Sequence, residues 1–372
     1  MNKKKVIVLF TIFCVVIASA VTLYTVKFGF LQEFPNAEFL TTDEEYARPV
    51  YAKLTKKEKA VYTALYRGIS NRQEDIPLPF DIKGDEYSKV YRILEKQEGE
   101  FFYLDSVYFT AKRVRNAKIA YKGTDDSTMR SAELDAAVEK AVSGGKRVRG
   151  GYYLAQYIQN YLIDKCTYTL GGDGGYASTA YGCLVEGKAN CEGYAKAFNL
   201  LAAKMGLQSV VVMGTADNGD NHAWNQVCIG SDWYNMDVTW ADTDIAGEVR
   251  YEYFLRPDLD FYKSHFVDDE LFEPFVCAKD DWNYFKSNGL FASSVSEARE
   301  ITIRELGMGN YEFGISFENR DTYENYKYEI SNEPSLLRMI EESGCALMGR
   351  ISVTMEENPE EKALIVKFSS GS

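Results

Sequence analysis

Three side chains near the middle of the 372-residue chain could together support thiol-based catalysis: Cys191, His222 and Asp237. A cysteine thiolate is a nucleophile, an imidazole can take or give its proton near neutral pH, and a carboxylate can fix the tautomer of that imidazole. The chain has only two histidines, so a mechanism that needs imidazole depends on His222 or His265. His265 lies outside this group, and we interpret it as structural or adjacent to substrate.

The segment that begins near Cys191 predicts a helix. Ala, Leu and Lys are frequent in residues 191–205, apolar residues recur at helical spacing, and Gly206 ends the pattern. Cys191 then lies at or just before the first turn, where unpaired amides and the positive end of the helix dipole favour thiolate over thiol. A structural cysteine is also common at a helix start. The valine-rich residues 209–216 predict a buried strand after the helix.

A predicted hairpin brings His222 and Asp237 onto one face of a sheet. Residues 222–229 and 233–240 are expected to form two antiparallel strands joined by a turn near residue 230. If Gly230–Ser231 is the turn, His222 lies diagonal to Asp237, and a turn one residue earlier places them directly opposite. A lone histidine on a strand is most often structural, but a carboxylate on the same face favours chemistry.

Three sequence blocks resemble the motifs of the transglutaminase-like superfamily, in particular its bacterial exported members. They are GKANCEGYA at 187–195, HAWN at 222–225 and DVTW at 237–240, in the order Cys, His, Asp. The resemblance is specific over about residues 150–265 and weaker from about residue 54. It implies an α+β fold with a papain-like core, in which the helix that carries the cysteine packs on an antiparallel sheet.

The resemblance also implies roles for the site residues. Cys191 would be the nucleophile, His222 the general base and Asp237 the orienting carboxylate, and the backbone amide of Cys191 would stabilise the oxyanion. The side chains expected to contact substrate are Trp224, Tyr181 and Trp240. Residues for calcium activation are not visible, so we predict neither a metal site nor a cofactor.

These roles indicate thiol-mediated acyl transfer on amide bonds. Water as the acceptor would make the protein a peptidase or amidase, and an amine would make it a cross-linking transglutaminase. The expected partner is a protein or a cell-wall (peptidoglycan) peptide. The alternative is a catalytically silent binding module at the cell surface, built on the same fold.

The N-terminus predicts export. Lys3–Lys5 precede an uncharged, largely apolar stretch at residues 6–26, which is long enough to span the roughly 30 Å hydrocarbon layer of a membrane as a helix. Ala18–Ala20 resembles a signal-peptide cleavage site. Residues 1–30 are therefore predicted to be a signal peptide or a single membrane anchor. By the positive-inside rule the N-terminus would be cytoplasmic and the rest extracellular or at the cell surface.

Composition excludes some classes of function. The net charge of −13 without a long basic run disfavours nucleic-acid binding. The six cysteines after the N-terminal segment are irregularly spaced, which is compatible with three disulfides or with free thiols. The GGDGG segment at 171–175 lacks the residues of a phosphate-binding loop, so we predict a simple loop there.

Periodicity, together with the family resemblance, divides the part after residue 30 into three predicted regions. We predict a mostly helical region at 31–150, the transglutaminase-like core at 151–275 and a C-terminal module at 295–372 that binds a partner or stabilises the fold. The predicted helices of the first two regions are 55–71, 86–96, 130–142 and 151–165, with a strand at 101–113. The module is predicted to run strand, strand, helix, strand, strand, and residues 301–307 are its first strand.

Overall fold

The structure, a computed structural model of the chain, describes residues 34–105, 111–123, 127–171, 175–243, 249–268, 271–359 and 361–371. The predicted export segment lies outside these ranges, as does the centre of the GGDGG loop. In the described part of the chain, no helix combines the length and the apolar character needed to cross a membrane. All six cysteines after the N-terminal segment are described, and each is a free thiol.

The region before the core is mostly helical. Its elements are α1 (Thr42–Tyr46), α2 (Pro49–Lys53), α3 (Lys56–Ser70), β1 (Asp75–Lys83), α4 (Gly84–Gln97), β2 (Arg113–Lys118) and α5 (Ser127–Gly144). The predicted helix at 55–71 is confirmed as α3, which begins with a capping box between Thr55 and Glu58. The predicted helices at 86–96 and 130–142 are confirmed within α4 and α5.

The predicted strand at 101–113 is wrong where the structure describes it. Gly99–Phe101 is a short 3₁₀ helix that continues into a turn, and strand β2 begins only at Arg113. Residues 106–110 lie outside the described ranges. The four apolar residues 101–104 are all buried in succession, whereas a half-buried strand would expose every second one. The run of aromatic residues therefore reflects local packing into the core rather than strand alternation.

The core consists of a helix on an antiparallel sheet. Its elements are α6 (Gly151–Lys165), β3 (Thr167–Tyr168), β4 (Lys188–Ala189), α7 (Cys191–Lys204), β5 (Ser209–Ala216), β6 (Asn221–Ile229), β7 (Asp232–Met236), α8 (Val238–Ala241), α9 (Asp258–Phe261) and β8 (His265–Val267). The sheet has the order β7-β6-β5-β8 with antiparallel neighbours, and α7 packs against β5 and β6. This confirms the predicted α+β fold.

The β6–β7 hairpin has one of the two predicted registers. Ile229 pairs with Asp232, so Gly230 and Ser231 form the turn, and the opposing alternative is excluded. The prediction that the second strand continues to residue 240 is wrong, because β7 ends at Met236. The Asp237 side chain accepts hydrogen bonds from the next backbone amides and starts the short helix α8 instead.

The C-terminal module has its own apolar core. Its elements are α10 (Tyr284–Ser287), β9 (Phe291–Ala292), α11 (Val295–Gly307), β10 (Glu312–Phe317), α12 (Arg320–Ser331), α13 (Glu333–Ser343), β11 (Arg350–Asn358) and β12 (Ala363–Gly371). The sheet order is β11-β12-β10-β9. The predicted strand at 301–307 is wrong, since those residues belong to α11. Ser294 caps that helix, and Ala298, Ile301 and Leu306 are buried at helical spacing.

Candidate active site

Cys191 is the first residue of α7 and is partly exposed. Asn190 caps the helix, because its Oδ1 accepts a hydrogen bond from the Gly193 amide at 3.2 Å. The Nδ2 group of Asn190 donates to Ser178 Oγ at 2.7 Å, and its backbone amide donates to Ala177 O at 3.0 Å. The preceding loop and the helix start are thereby joined through one side chain, which fixes the position of the thiol.

The cap at Asn190 gives a first prediction. Asn190→Ala should lower the free energy of unfolding by about 1 kcal/mol, because the Gly193 amide loses its acceptor. Asn190→Asp keeps an acceptor oxygen at the same place and should lose less. Urea unfolding of the two variants and the native protein measures the difference. Equal losses in both variants would contradict the capping role.

Gly193 allows the helix start to approach the loop at 177–179. A Cβ atom at this position would lie 2.3 Å from Ala177 O and 2.8 Å from Ala189 Cβ, which is too close for any side chain. The backbone oxygen cannot move away without shifting the loop that binds Asn190. The glycine two residues after Cys191 is therefore required by packing.

The structure brings His222 and Asp237 together across the end of the hairpin. His222 Nε2 lies 2.7 Å from Asp237 Oδ2, and the Asp237 side chain is 0% exposed. Asp237 Oδ1 accepts the backbone amides of Thr239 and Trp240 at 2.8 and 3.2 Å. The Cys191 side chain is the second hydrogen-bond partner of His222.

His222 and Asp237 shift each other's pKa toward the charged form. Burial alone would lower the pKa of His222, but the charge and hydrogen bond of Asp237, together with Cys191, raise that pKa to about 10. Burial would raise the pKa of Asp237, but the His222 charge and the hydrogen bonds of both histidines hold it well below its usual range. The Asp237 carboxylate therefore favours the protonated, imidazolium form of His222.

The raised pKa of His222 predicts a pH dependence of stability. A group whose pKa rises on folding stabilises the fold fully below its unfolded value of about 6.5, and this contribution is lost as the pH rises through about 10. We expect the native protein to lose more stability than a His222→Gln variant between pH 7 and 10.5. Chemical unfolding at several pH values measures this difference. If the free energy of unfolding changed with pH in the same way in both proteins, the raised pKa of His222 would be contradicted.

His265 joins the same carboxylate. Its Nε2 lies 3.1 Å from Asp237 Oδ2, its Nδ1 lies 3.0 Å from Ser264 Oγ, and the side chain is 0% exposed. Residues 265–267 form β8, which pairs with the end of β5. Sequence reasoning placed His265 outside the group, because a three-residue strand has no readable pattern. The signal that was available is the rarity of histidine in this chain.

The two imidazoles and the carboxylate also form a group of metal-ligand type, with the three ligand atoms within 4.8 Å of one another. Two ligands of a tetrahedral zinc ion at about 2.0–2.2 Å stand about 3.3 Å apart. The observed N···O separations of 2.7 and 3.1 Å are shorter and fit N–H···O hydrogen bonds. We therefore interpret the group as a hydrogen-bond network.

The residues predicted to contact substrate have different surroundings. The Trp240 ring is partly exposed and lies 5.3 Å from the His222 ring, so it borders the group. Trp224 is 1% exposed and packs beside His222, which leaves no surface for a substrate. Tyr181 is 4% exposed, stacks on Phe102 and donates to Glu133 at 2.6 Å. Of these three residues, Trp240 is therefore the one with an exposed surface in the structure.

A polar cavity of about 580 Å³ is lined by Glu192, the residue after Cys191, and by Asn221, the residue before His222. The other lining residues that matter for its chemistry are Arg92, Lys96, Asp268 and Met213. A cavity with charged side chains of both signs suits a polar or charged substrate segment better than an apolar one.

A buried ion network holds the residue after the thiol. The Glu192 carboxylate forms ion pairs with the ammonium groups of Lys96 and Lys196, each at 2.8 Å. Lys196 also forms an ion pair with Glu95 at 2.9 Å. Lys196 is only 5% exposed. Burial would lower its pKa, but Glu192 and Glu95 raise that pKa above its usual value, so the cation persists. The first turn of α7 is therefore tied to α4, the helix that carries Lys96 and Glu95.

The comparisons with solved structures concern parts of the chain. A candidate cysteine protease from Cytophaga hutchinsonii is 17% identical with a TM-score of 0.27, over 36% of this chain and 41% of that one. A protein described as a TGase is 17% identical with a TM-score of 0.28, over 40% of this chain and 45% of that one. The periplasmic domain of TgpA from Pseudomonas aeruginosa, bound to ethylmercury, is 16% identical with a TM-score of 0.23. The match covers 37% of this chain and 59% of that one. The chain thus spans about half the length of these proteins.

The sequence comparison is more specific than these likenesses. No curated protein matches the chain. The family model of the transglutaminase-like superfamily matches residues 137–238, a segment that includes Cys191, His222 and Asp237. Residues 137–238 are therefore similar to the transglutaminase-like superfamily, the family that the three sequence blocks resemble.

Proposed function

We propose that this protein is an exported, cysteine-dependent acyl-transfer enzyme that acts on amide bonds of protein or of cell-wall peptide. The observation that carries the proposal is the order of contacts in the site. Asp237 binds Nε2 of His222 at 2.7 Å, and Cys191, at a helix start, is the second hydrogen-bond partner of His222. An imidazolium and the positive end of a helix both favour a thiolate over a thiol.

The reaction that this arrangement suits has two steps. The Cys191 sulfur attacks the amide carbonyl carbon, the C–N bond breaks, and His222 gives its proton to the leaving amine, which leaves a thioester on the enzyme. Water or a second amine then attacks the thioester while His222 takes a proton from it, and the thiolate leaves. The Cys191 amide lies in the first turn, has no acceptor within its own helix and is the expected oxyanion donor.

The expected place of action and the substrate class rest on further observations. The lysines and the apolar stretch at the N-terminus support export. The charged cavity lined by Glu192 and Asn221 supports a substrate with polar or charged side chains, such as a peptide stem of the cell wall. Outside the membrane, both proteins and cell-wall peptides are accessible.

One experiment separates the possible outcomes. The purified full-length protein, in mild detergent, is incubated with peptidoglycan, with casein, and with casein plus a labelled primary amine, and Cys191→Ala serves as the control. New amino groups would indicate hydrolysis, and label on casein would indicate cross-linking. Neither product from a folded protein would contradict the proposal and favour the silent binding module.

A further inference from the structure

We propose that His265 is a positioning residue of this site, which holds the Asp237 carboxylate in the orientation that His222 needs. This inference rests on the proposed function. His265 is 0% exposed, so it cannot touch a substrate. It acts through Asp237, which is its hydrogen-bond partner at 3.1 Å.

The first argument is the number of donors around one carboxylate. Oδ1 of Asp237 accepts the amides of Thr239 and Trp240, and Oδ2 faces Nε2 of both histidines. An ionised carboxylate has about four acceptor sites and no proton to give. Because the pKa of Asp237 lies well below its usual range, the group is ionised, and both rings must donate from Nε2. His265 therefore supplies the fourth hydrogen bond and completes the set.

The second argument is that the His265 ring is fixed. It stacks on Phe261 with 3.9 Å between ring centroids and lies 4.4 Å from the Trp240 ring. Its backbone pairs with Ala216 on β5. Ser264 Oγ binds the other ring nitrogen, so a polar partner is present on each edge of the ring. A residue that only filled space would need neither partner.

These contacts predict what happens when the donor is lost. Oδ2 would keep only the His222 hydrogen bond, and the carboxylate could turn about the two backbone hydrogen bonds at Oδ1. The His222 ring would follow its acceptor, and its hydrogen bond with Cys191 would weaken. The expected effect is therefore on the thiol, although His265 itself does not contact it.

The test compares three variants of the full-length protein. His265→Phe keeps an aromatic ring against Phe261 but removes the donor, and His265→Gln restores an N–H group without the ring. Ser264→Ala removes the partner of Nδ1 and provides a mild change in case the Phe variant does not fold. Thermal unfolding reports stability, and two further measurements report positioning.

The first measurement is NMR of protein labelled with nitrogen-15 in histidine, which has only two imidazoles to assign. We expect the Nε2 proton of His222 to exchange with water at least about tenfold faster in His265→Phe than in the native protein, and His265→Gln to restore slow exchange. The second is alkylation of Cys191 at pH 6, which should slow about tenfold in His265→Phe and recover in His265→Gln. Ser264→Ala should show smaller changes in the same direction.

The outcomes separate this inference from the proposed function. If His265→Phe or Ser264→Ala lowers the unfolding temperature but leaves proton exchange and alkylation unchanged, His265 is structural and the inference is wrong. If native Cys191 shows no preferential alkylation while His222 proton exchange still responds to His265, the proposed function fails and the positioning of Asp237 stands.

Discussion

Asp237→Asn is expected to lower acyl transfer by about 10³-fold or more. The carboxylate has two tasks that an amide cannot perform together. One oxygen accepts two backbone amides of α8, and the other accepts both histidines. In the variant, either the backbone amides or the histidines would face an NH₂ group, and His222 would lose the negative charge that raises its pKa to about 10.

The measurement is the rate of amine incorporation or of amide hydrolysis, whichever the native protein shows. Asp220→Asn is the matched control, because Asp220 is exposed in the loop just before β6 and its carboxylate accepts a hydrogen bond from Asn218. It should change the rate by less than about twofold. A loss below about tenfold in Asp237→Asn would show that the carboxylate does not orient His222.

Arg256→Met is expected to lower the free energy of unfolding by about 3–5 kcal/mol. Arg256 joins the core to the C-terminal module, since it binds Glu361 at 2.9 Å with both side chains almost fully buried. It also donates to Glu252 O at 2.7 Å, and its backbone pairs with Asn235 on β7. Removing the guanidinium would leave the Glu361 carboxylate buried without its cation.

Chemical unfolding monitored by circular dichroism measures this loss. Lys263→Met is the control, because Lys263 forms an ion pair with Asp260 at 2.7 Å while its side chain is 44% exposed, and such pairs contribute about 0–1 kcal/mol. Adding Glu361→Leu to Arg256→Met should recover part of the stability, because the unpaired charge is then removed. An Arg256→Met protein within about 1 kcal/mol of the native one would contradict the bridging role.

Local patterns made the centre of the site predictable. The helix after Cys191 follows from its composition and from Gly206, which has the positive φ of 76° that favours glycine. The strand at 209–216 and the turn at Gly230–Ser231 also follow from short-range signals. The proximity of the His222 and Asp237 side chains was predictable because both residues lie close to one hairpin.

Other features depend on contacts that no short pattern reveals. The alternating residues at 237–240 predict a strand through Asp237. In the structure the strand ends before Asp237, whose side chain caps α8. His265 is 28 residues from Asp237 and reaches it through a three-residue strand. The β-branched residues of 301–303 resemble a strand, yet burial against the C-terminal sheet and the cap at Ser294 make them helical. In each case tertiary packing outweighed local propensity.

The most direct test of the account is the rate at which iodoacetamide alkylates each cysteine at pH 6, followed by peptide mapping in the native protein and in His222→Ala. Burial raises the pKa of Cys183, Cys228 and Cys277, so these thiols should react slowly. We predict that Cys191 reacts at least about tenfold faster than the other described cysteines and that His222→Ala abolishes this preference. Equally slow labelling of all six cysteines in the native protein would contradict the account.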